Sequence, residues 1–134
     1  MSWDVLLLRL PDEVTSVRQI PDDFSPAPLG RRHDVLAAVT QAVPDVDFSD
    51  PSWGELLRPA WAMELNIGSA DPVDSIMLHI RGSGDEVLVA VFRLAEALGC
   101  KVLDCAEGEL ITPRKRLGWH TFRQFREGAL GPLH

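Results

Sequence analysis

Two stretches of this chain alternate apolar and polar residues with a period of two. In AWAMELNI (60–67), Trp61, Met63, Leu65 and Ile67 fall on one side, and Ala62, Glu64 and Asn66 on the other. In SIMLHIR (75–81), Ile76, Leu78 and Ile80 oppose Met77, His79 and Arg81. Side chains alternate across a sheet, so each run predicts a strand with one buried face. The turn-rich GSADPVD between them predicts a hairpin. WDVLLLRL (3–10), ended by Pro11, predicts another strand.

Elsewhere the apolar positions recur at helical spacing. Val35, Leu36, Val39, Ala42 and Val43 predict a helix over 31–43, stopped by Pro44. Val87, Leu88, Val91, Leu94, Ala95 and Leu98 predict a second one. A capping box (Ser83 with Glu86) precedes it, and Gly99 follows where a left-handed C-cap belongs. Lys101–Cys105 and Leu110–Thr112 predict short strands, and 119–129 a final helix. Residues 11–30, with four prolines, predict an extended connection anchored by Ile20, Phe24 and Leu29. Residues 45–59 predict an acidic loop.

The order β-α-β-β-α-β predicts an α+β protein with a ferredoxin-like antiparallel sheet and both helices on one face. Residues 1–134 form a single domain, with a 1–112 core and a basic, aromatic helical tail (113–134) packed on it. If Trp61, Met63, Leu65, Ile76, Leu78 and Ile80 face the helices, the open face carries Glu64, Asn66, Met77, His79 and Arg81. Strand 1 adds Trp3, Leu7 and Arg9 if Leu6 and Leu8 point inward. Glu64 lies beside His79 in this register. Glu64, His79 and Arg81 form a candidate ligand-binding cluster there, or a cross-strand charge pair on a solvated or tail-covered face.

Charge changes the picture. The chain nets −7, but unevenly. Between Asp45 and Asp74 stand seven acids and one base, Arg58. Residues 113–134 hold five bases (Arg114, Lys115, Arg116, Arg123, Arg126) and one acid, Glu127. The acidic balance argues against nucleic-acid binding, which needs a basic footprint. No apolar run approaches the length of a membrane span. The start MSWDVLLLRLPDE lacks a basic n-region and predicts a strand and a cytoplasmic protein.

Candidate chemistry is sparse. Cys100 and Cys105 provide neither a disulfide framework nor a four-ligand zinc set. Asp45, Asp47 and Asp50 fail the calcium-loop pattern, with Leu56 where the bidentate Glu belongs. Arg81-Gly82-Ser83-Gly84 lacks the phosphate-loop lysine, and Asp85 and Glu86 put negative charge at that helix start. No nucleophile motif supports a catalytic residue. The expectation is a protein without catalytic residues, metal or cofactor.

The pieces MSWD, IPDDF, PDVDFSDPSWG, ELNIG, DSIMLHIRG, DCAEGE and GWHTFRQFR span nearly the whole chain. In them it resembles a group of small uncharacterised bacterial proteins, which are similar to immunity proteins of bacterial toxin systems. That resemblance implies a non-enzymatic, immunity- or antitoxin-type protein that covers a basic toxin domain with an acidic surface. The residues predicted to meet such a basic protein partner are Asp45, Asp47, Asp50, Trp53, Glu55, Asp71 and Asp74, with Trp53 as aromatic anchor. The alternative is a small-ligand-binding or regulatory domain built on Glu64, His79 and Arg81. The oligomeric state stays open.

Overall fold

The computed structural model describes residues 3–11, 13–20, 24–82 and 86–112. In chain order the elements are β1 (Trp3–Leu8), α1 (Arg32–Ala42), β2 (Asp47–Asp50), β3 (Trp53–Leu57), β4 (Trp61–Asn66), β5 (Ser75–Gly82), α2 (Glu86–Leu98), β6 (Lys101–Asp104) and β7 (Glu109–Ile111). A single 3-10 turn at Val17–Gln19 interrupts the connection before α1, closed by a Ser16–Gln19 capping box.

The strands form one antiparallel sheet of seven, in the order β2-β3-β4-β5-β1-β6-β7. This overturns the ferredoxin-like expectation. Residues 45–59 are not a loop: they supply β2 and β3, which lengthen the sheet on one side, while β7 extends it on the other. Loop-like composition hid the first two. In Asp47–Asp50, Phe48 is the one apolar residue of four, so no alternating run marks the strand. What seats it is Gly54 on β3: a Cβ there would come within 2.7 Å of the Phe48 ring. The bare backbone lets Phe48 pack against the core.

The core lies between the two helices and one face of the sheet. Trp3, Val5 and Leu7 of β1, Leu56 of β3, Trp61, Met63 and Leu65 of β4, and Ile76, Leu78 and Ile80 of β5 are buried with Val35 and Val39 of α1 and Val87, Val91 and Leu94 of α2. Burial alternates strictly along β4 and through Ile80 on β5, as their sequences predict. On β1 the expected parity is reversed. Trp3, Val5 and Leu7 point into the core, so Asp4, Leu6 and Leu8 belong to the other face. The charge of Asp4 accounts for this, because turning its carboxylate inward would bury it in the apolar core with no partner.

Connections follow local chemistry. Gly99 has φ +62° and ends α2, with the Cys100 amide donating to the Ala95 carbonyl. The predicted Ser83 cap lies outside the described residues, as does the tail from 113. Of the predicted anchors in 11–30, Leu29 is buried and pairs with Val73, whereas Ile20 and Phe24 are only partly covered. Asp104 is fully buried, and its Oδ1 accepts from the amides of Ala106 and Glu107, turning β6 into β7.

Gly82 closes β5 opposite Trp61 with φ +106°. A Cβ there would lie 2.4 Å from the Ala60 carbonyl oxygen and 2.5 Å from the Trp61 Cα, both backbone atoms. Gly82→Ala is expected to cost about 3 kcal/mol in chemical denaturation. Gly108→Ala, at φ +66° with nothing within 4 Å, should cost only about 1 kcal/mol. Equal effects at the two positions would refute the close-approach argument.

Candidate functional site

The face away from the helices carries a row of charged residues set by strand register. Asp47 stands opposite Glu55, Glu55 opposite Glu64, Glu64 opposite His79 and His79 opposite Asp4, across β2, β3, β4, β5 and β1. Glu64 and His79 are neighbours as the alternation predicts, yet they do not pair. Glu64 bonds to Arg81, two residues along β5. The His79 ring turns the other way, its Nδ1 2.8 Å from Asp4 Oδ1. Trp53 reaches across β4 and stacks on His79, with ring centroids 5.9 Å apart and planes 20° from parallel. The predicted Glu64–His79–Arg81 cluster is therefore two pairs, Glu64–Arg81 and Asp4–His79, with Trp53 laid over the second.

Sequence reasoning missed Asp4 because it assigned β1 the opposite parity. The signal was present: Asp4 is the one acid in WDVLLLRL, and that alone argues for the outward side.

The predicted partner-binding acids do not form one patch. Asp71 caps α1: its Oδ1 accepts from the Arg32 amide at 3.1 Å and from the Arg31 guanidinium at 3.2 Å. No side chain within α1 performs that task, since Arg31 occupies the cap position. Asp45 lies beyond the other end of α1, which is roughly 16 Å long at 1.5 Å per residue. It is chelated by Arg58, whose guanidinium also sits 5.7 Å over the Trp61 ring. Asp47 accepts from the Ser49 amide and hydroxyl, and Asp50 from the Ser52 amide. The side chains of Glu55 and Asp74 have no hydrogen bond or ion pair among the described residues.

Titration follows these contacts. The Arg58 hydrogen bonds hold Asp45 below the usual carboxylate range. The Ser49 hydroxyl and amide do the same for Asp47, and the Arg32 amide with the Arg31 guanidinium for Asp71. Burial pushes the Cys100 thiol up to about 11. Cys105, on the turn beside the open face, is raised too, by burial and by Asp4 and Asp104. Both cysteines are thiols at neutral pH, which does not prepare either as a nucleophile.

Large cavities lie elsewhere. A groove of about 1010 Å³ runs along α1 past His33, Gln41 and Phe48. One of about 650 Å³ lies between the end of α1 and α2, beside Pro44, Arg93 and Ala97. Another, of about 510 Å³, lies between α2 and the β6–β7 edge, lined by Phe92, Ala95, Cys100, Val102 and Ile111. Glu64, His79 and Arg81 line none of these. No group of three or more potential metal ligands occurs among the described residues, and no described helix is long and apolar enough to cross a membrane.

Compared with known proteins, the chain matches no family model and no curated protein sequence.

Asp71 provides the sharpest test of these assignments. Its pKa in the folded state is below its unfolded value, so its contribution is full above the ordinary carboxylate pKa and fades as pH falls through the lowered one. Asp71→Ala should speed amide exchange in the first turn of α1 and lower Tm at pH 7. The difference from the unsubstituted protein should close in strong acid. An equal Tm deficit at pH 7 and in strong acid would show that the carboxylate is not the cap.

Proposed function

We propose that the protein is a non-enzymatic binding protein that presents its open sheet face to a basic protein surface. The reading is of the immunity type, acting in the cytoplasm and shielding a basic toxin domain. The observation that carries it is the directly opposed acidic row. Like charges facing each other across strands destabilise a sheet. Arg81 offsets Glu64, but Glu55 stands between Asp47 and Glu64 with no basic partner among the described residues. A site that weakens its own fold is better accounted for by binding than by stability.

The surroundings suit that role. Trp53 is half-buried next to Glu55 on β3, an aromatic beside an unneutralised carboxylate, which is the pairing that receives an arginine. Leu57, 72% exposed at the end of the same strand, adds apolar contact at the rim. The surface accordingly shifts from the loops to the sheet. Trp53, Glu55, Asp47 and Glu64 hold it, while Asp45 and Asp71 serve the fold at the two ends of α1.

The ligand-binding alternative has one observation in its favour, the Trp53–His79–Asp4 stack. None of the cavities described above is lined by Asp4, Trp53 or His79, and ligand sites are concave.

Glu55→Lys separates function from folding. It should stabilise the isolated protein by about 0.5 kcal/mol by relieving the row. It should weaken binding to a basic partner, captured from the source cell and then purified, by tenfold or more. The unsubstituted complex should loosen steeply with salt. Unchanged affinity in Glu55→Lys would remove the acidic row from the mechanism.

A further inference from the structure

The sheet is wider than its helical layer. Seven strands span about 29 Å between the outer axes. Two helices packed side by side, about 10 Å apart, cover about 20 Å. The inner face of the sheet is therefore uncovered at its flanks. The groove of about 1010 Å³ beside α1 is one flank, and the cavity of about 510 Å³ beyond α2 is the other.

The walls of the α1 groove are apolar. Val35 to Val39 is an unbroken apolar run. At about 100° per residue it winds through more than one full turn. Val35 and Val39 are buried in the core. Leu36, Ala37 and Ala38 line the groove instead, and Ala37 is exposed. A helix that is apolar all round is ordinarily a buried one. Phe48 of β2, half-buried, forms the facing wall, with Pro51 beyond it.

The rim is acidic. Asp34 lines the groove, and Asp47 and Asp50 flank Phe48 along β2. These three carboxylates have no ion pair among the described residues. His33 shares the wall with Asp34. The guanidiniums at that end of α1 are committed elsewhere, Arg31 to Asp71 and Arg32 to the Gly68 carbonyl and the Ser52 hydroxyl.

We propose that this groove docks a basic amphipathic helix of a protein partner, laid beside α1 as a third helix of the layer. Its apolar stripe seats on Leu36, Ala37 and Phe48, and its lysines or arginines turn to Asp34, Asp47 and Asp50. Size favours this occupant. A helix as long as α1 and about 10 Å across fills about 1250 Å³, comparable with the groove's own volume of about 1010 Å³. An added strand fits less well: β2 is short and bulged, and its Ser49 amide is already held by Asp47. A second copy of the chain is disfavoured too, because a two-fold contact would set the acidic rim against itself. The groove lies on the helix side of β2, so the site stands whether or not Glu55 and the open face bind anything.

Methyl NMR on the full chain tests the site with a synthetic peptide of leucine and lysine, about 14 residues long, its leucines at helical spacing. The methyl resonances of Leu36, Ala37 and Ala38 should shift saturably, while those of Leu6, Met77 and Leu103 on the open face hold. Ala37→Lys, a change at an exposed helical position, should weaken the peptide tenfold or more. Glu55→Lys should leave its affinity unchanged. A peptide of the same composition in strict alternation, and a leucine–glutamate peptide at helical spacing, should bind at least tenfold more weakly. Shifts at Met77 and Leu103 in place of Leu36 would move the contact to the open face and overturn the proposal. So would the absence of saturable binding, equal binding of either control peptide, or an Ala37→Lys protein that binds as before. If Ala37→Lys unfolds the chain, Thr40→Lys, exposed on the same wall, decides in the same way.

Discussion

The structure depends on the period-two parity of three adjacent central strands, β4, β5 and β1. Their inward residues, Trp61, Met63, Leu65, Ile76, Leu78, Ile80, Trp3, Val5 and Leu7, are nearly or fully buried. Complete burial of one such side chain is worth about 1.5–3 kcal/mol. A one-residue slip in any strand would expose that set and bury its alternates. Register is therefore fixed by the core, and the open face has no freedom in what it displays. Once Val5 and Leu78 face the helices, Asp4 and His79 must meet on the other side. Once Met63 does, Glu64 must stand between Glu55 and His79.

The same constraint explains how charge is distributed. Two acids off the strands are held by nearby donors: Asp45 by Arg58, and Asp71 by Arg31 and the α1 amide. On the sheet, neighbours are dictated by pairing, and β3 brings Glu55 into a position where both opposite residues are acids. Among the described residues the guanidinium on this face, that of Arg81, bonds to Glu64. The negative character of the face thus follows from strand order. Sequence charge counting found the acidic stretch between Asp45 and Asp74, but it could not separate the acids that cap and staple from Glu55, which stands between two carboxylates.

Much of the fold was legible where one physical signal dominated. β4 and β5 declared themselves by alternation, α2 by its apolar stripe, and its end by Gly99. The extra strands were not legible, because β2 and β3 are held by neighbours rather than by their own pattern. Phe48 finds its place through Gly54, and Trp53 through His79 two strands away. The parity of β1 was readable from Asp4, but WDVLLLRL is apolar on both faces, and a continuous apolar run does not by itself announce its register. Adjacency at the site was therefore predictable and pairing was not. Register puts Glu64 opposite His79, whereas side-chain reach along and across the strands gives Glu64 to Arg81 and His79 to Asp4.

A sheet with one face against helices leaves the other to water, a partner or the chain itself, and composition discriminates among these. A water-facing surface would carry mixed, mutually satisfied charges. Here one row is acidic, and the next, Met77, Leu6, Leu103 and Leu110 across β5, β1, β6 and β7, is apolar. Among the described residues neither row is self-sufficient: Glu55 in the first has no cation beside it, and Leu6, Met77 and Leu103 in the second are only half-buried. Both deficits point to a group that is basic and apolar together. That specification is narrower than net charge alone supplies. It excludes a simple polycation, which would leave the leucines wet, and a purely apolar ligand, which would leave Glu55 facing two carboxylates.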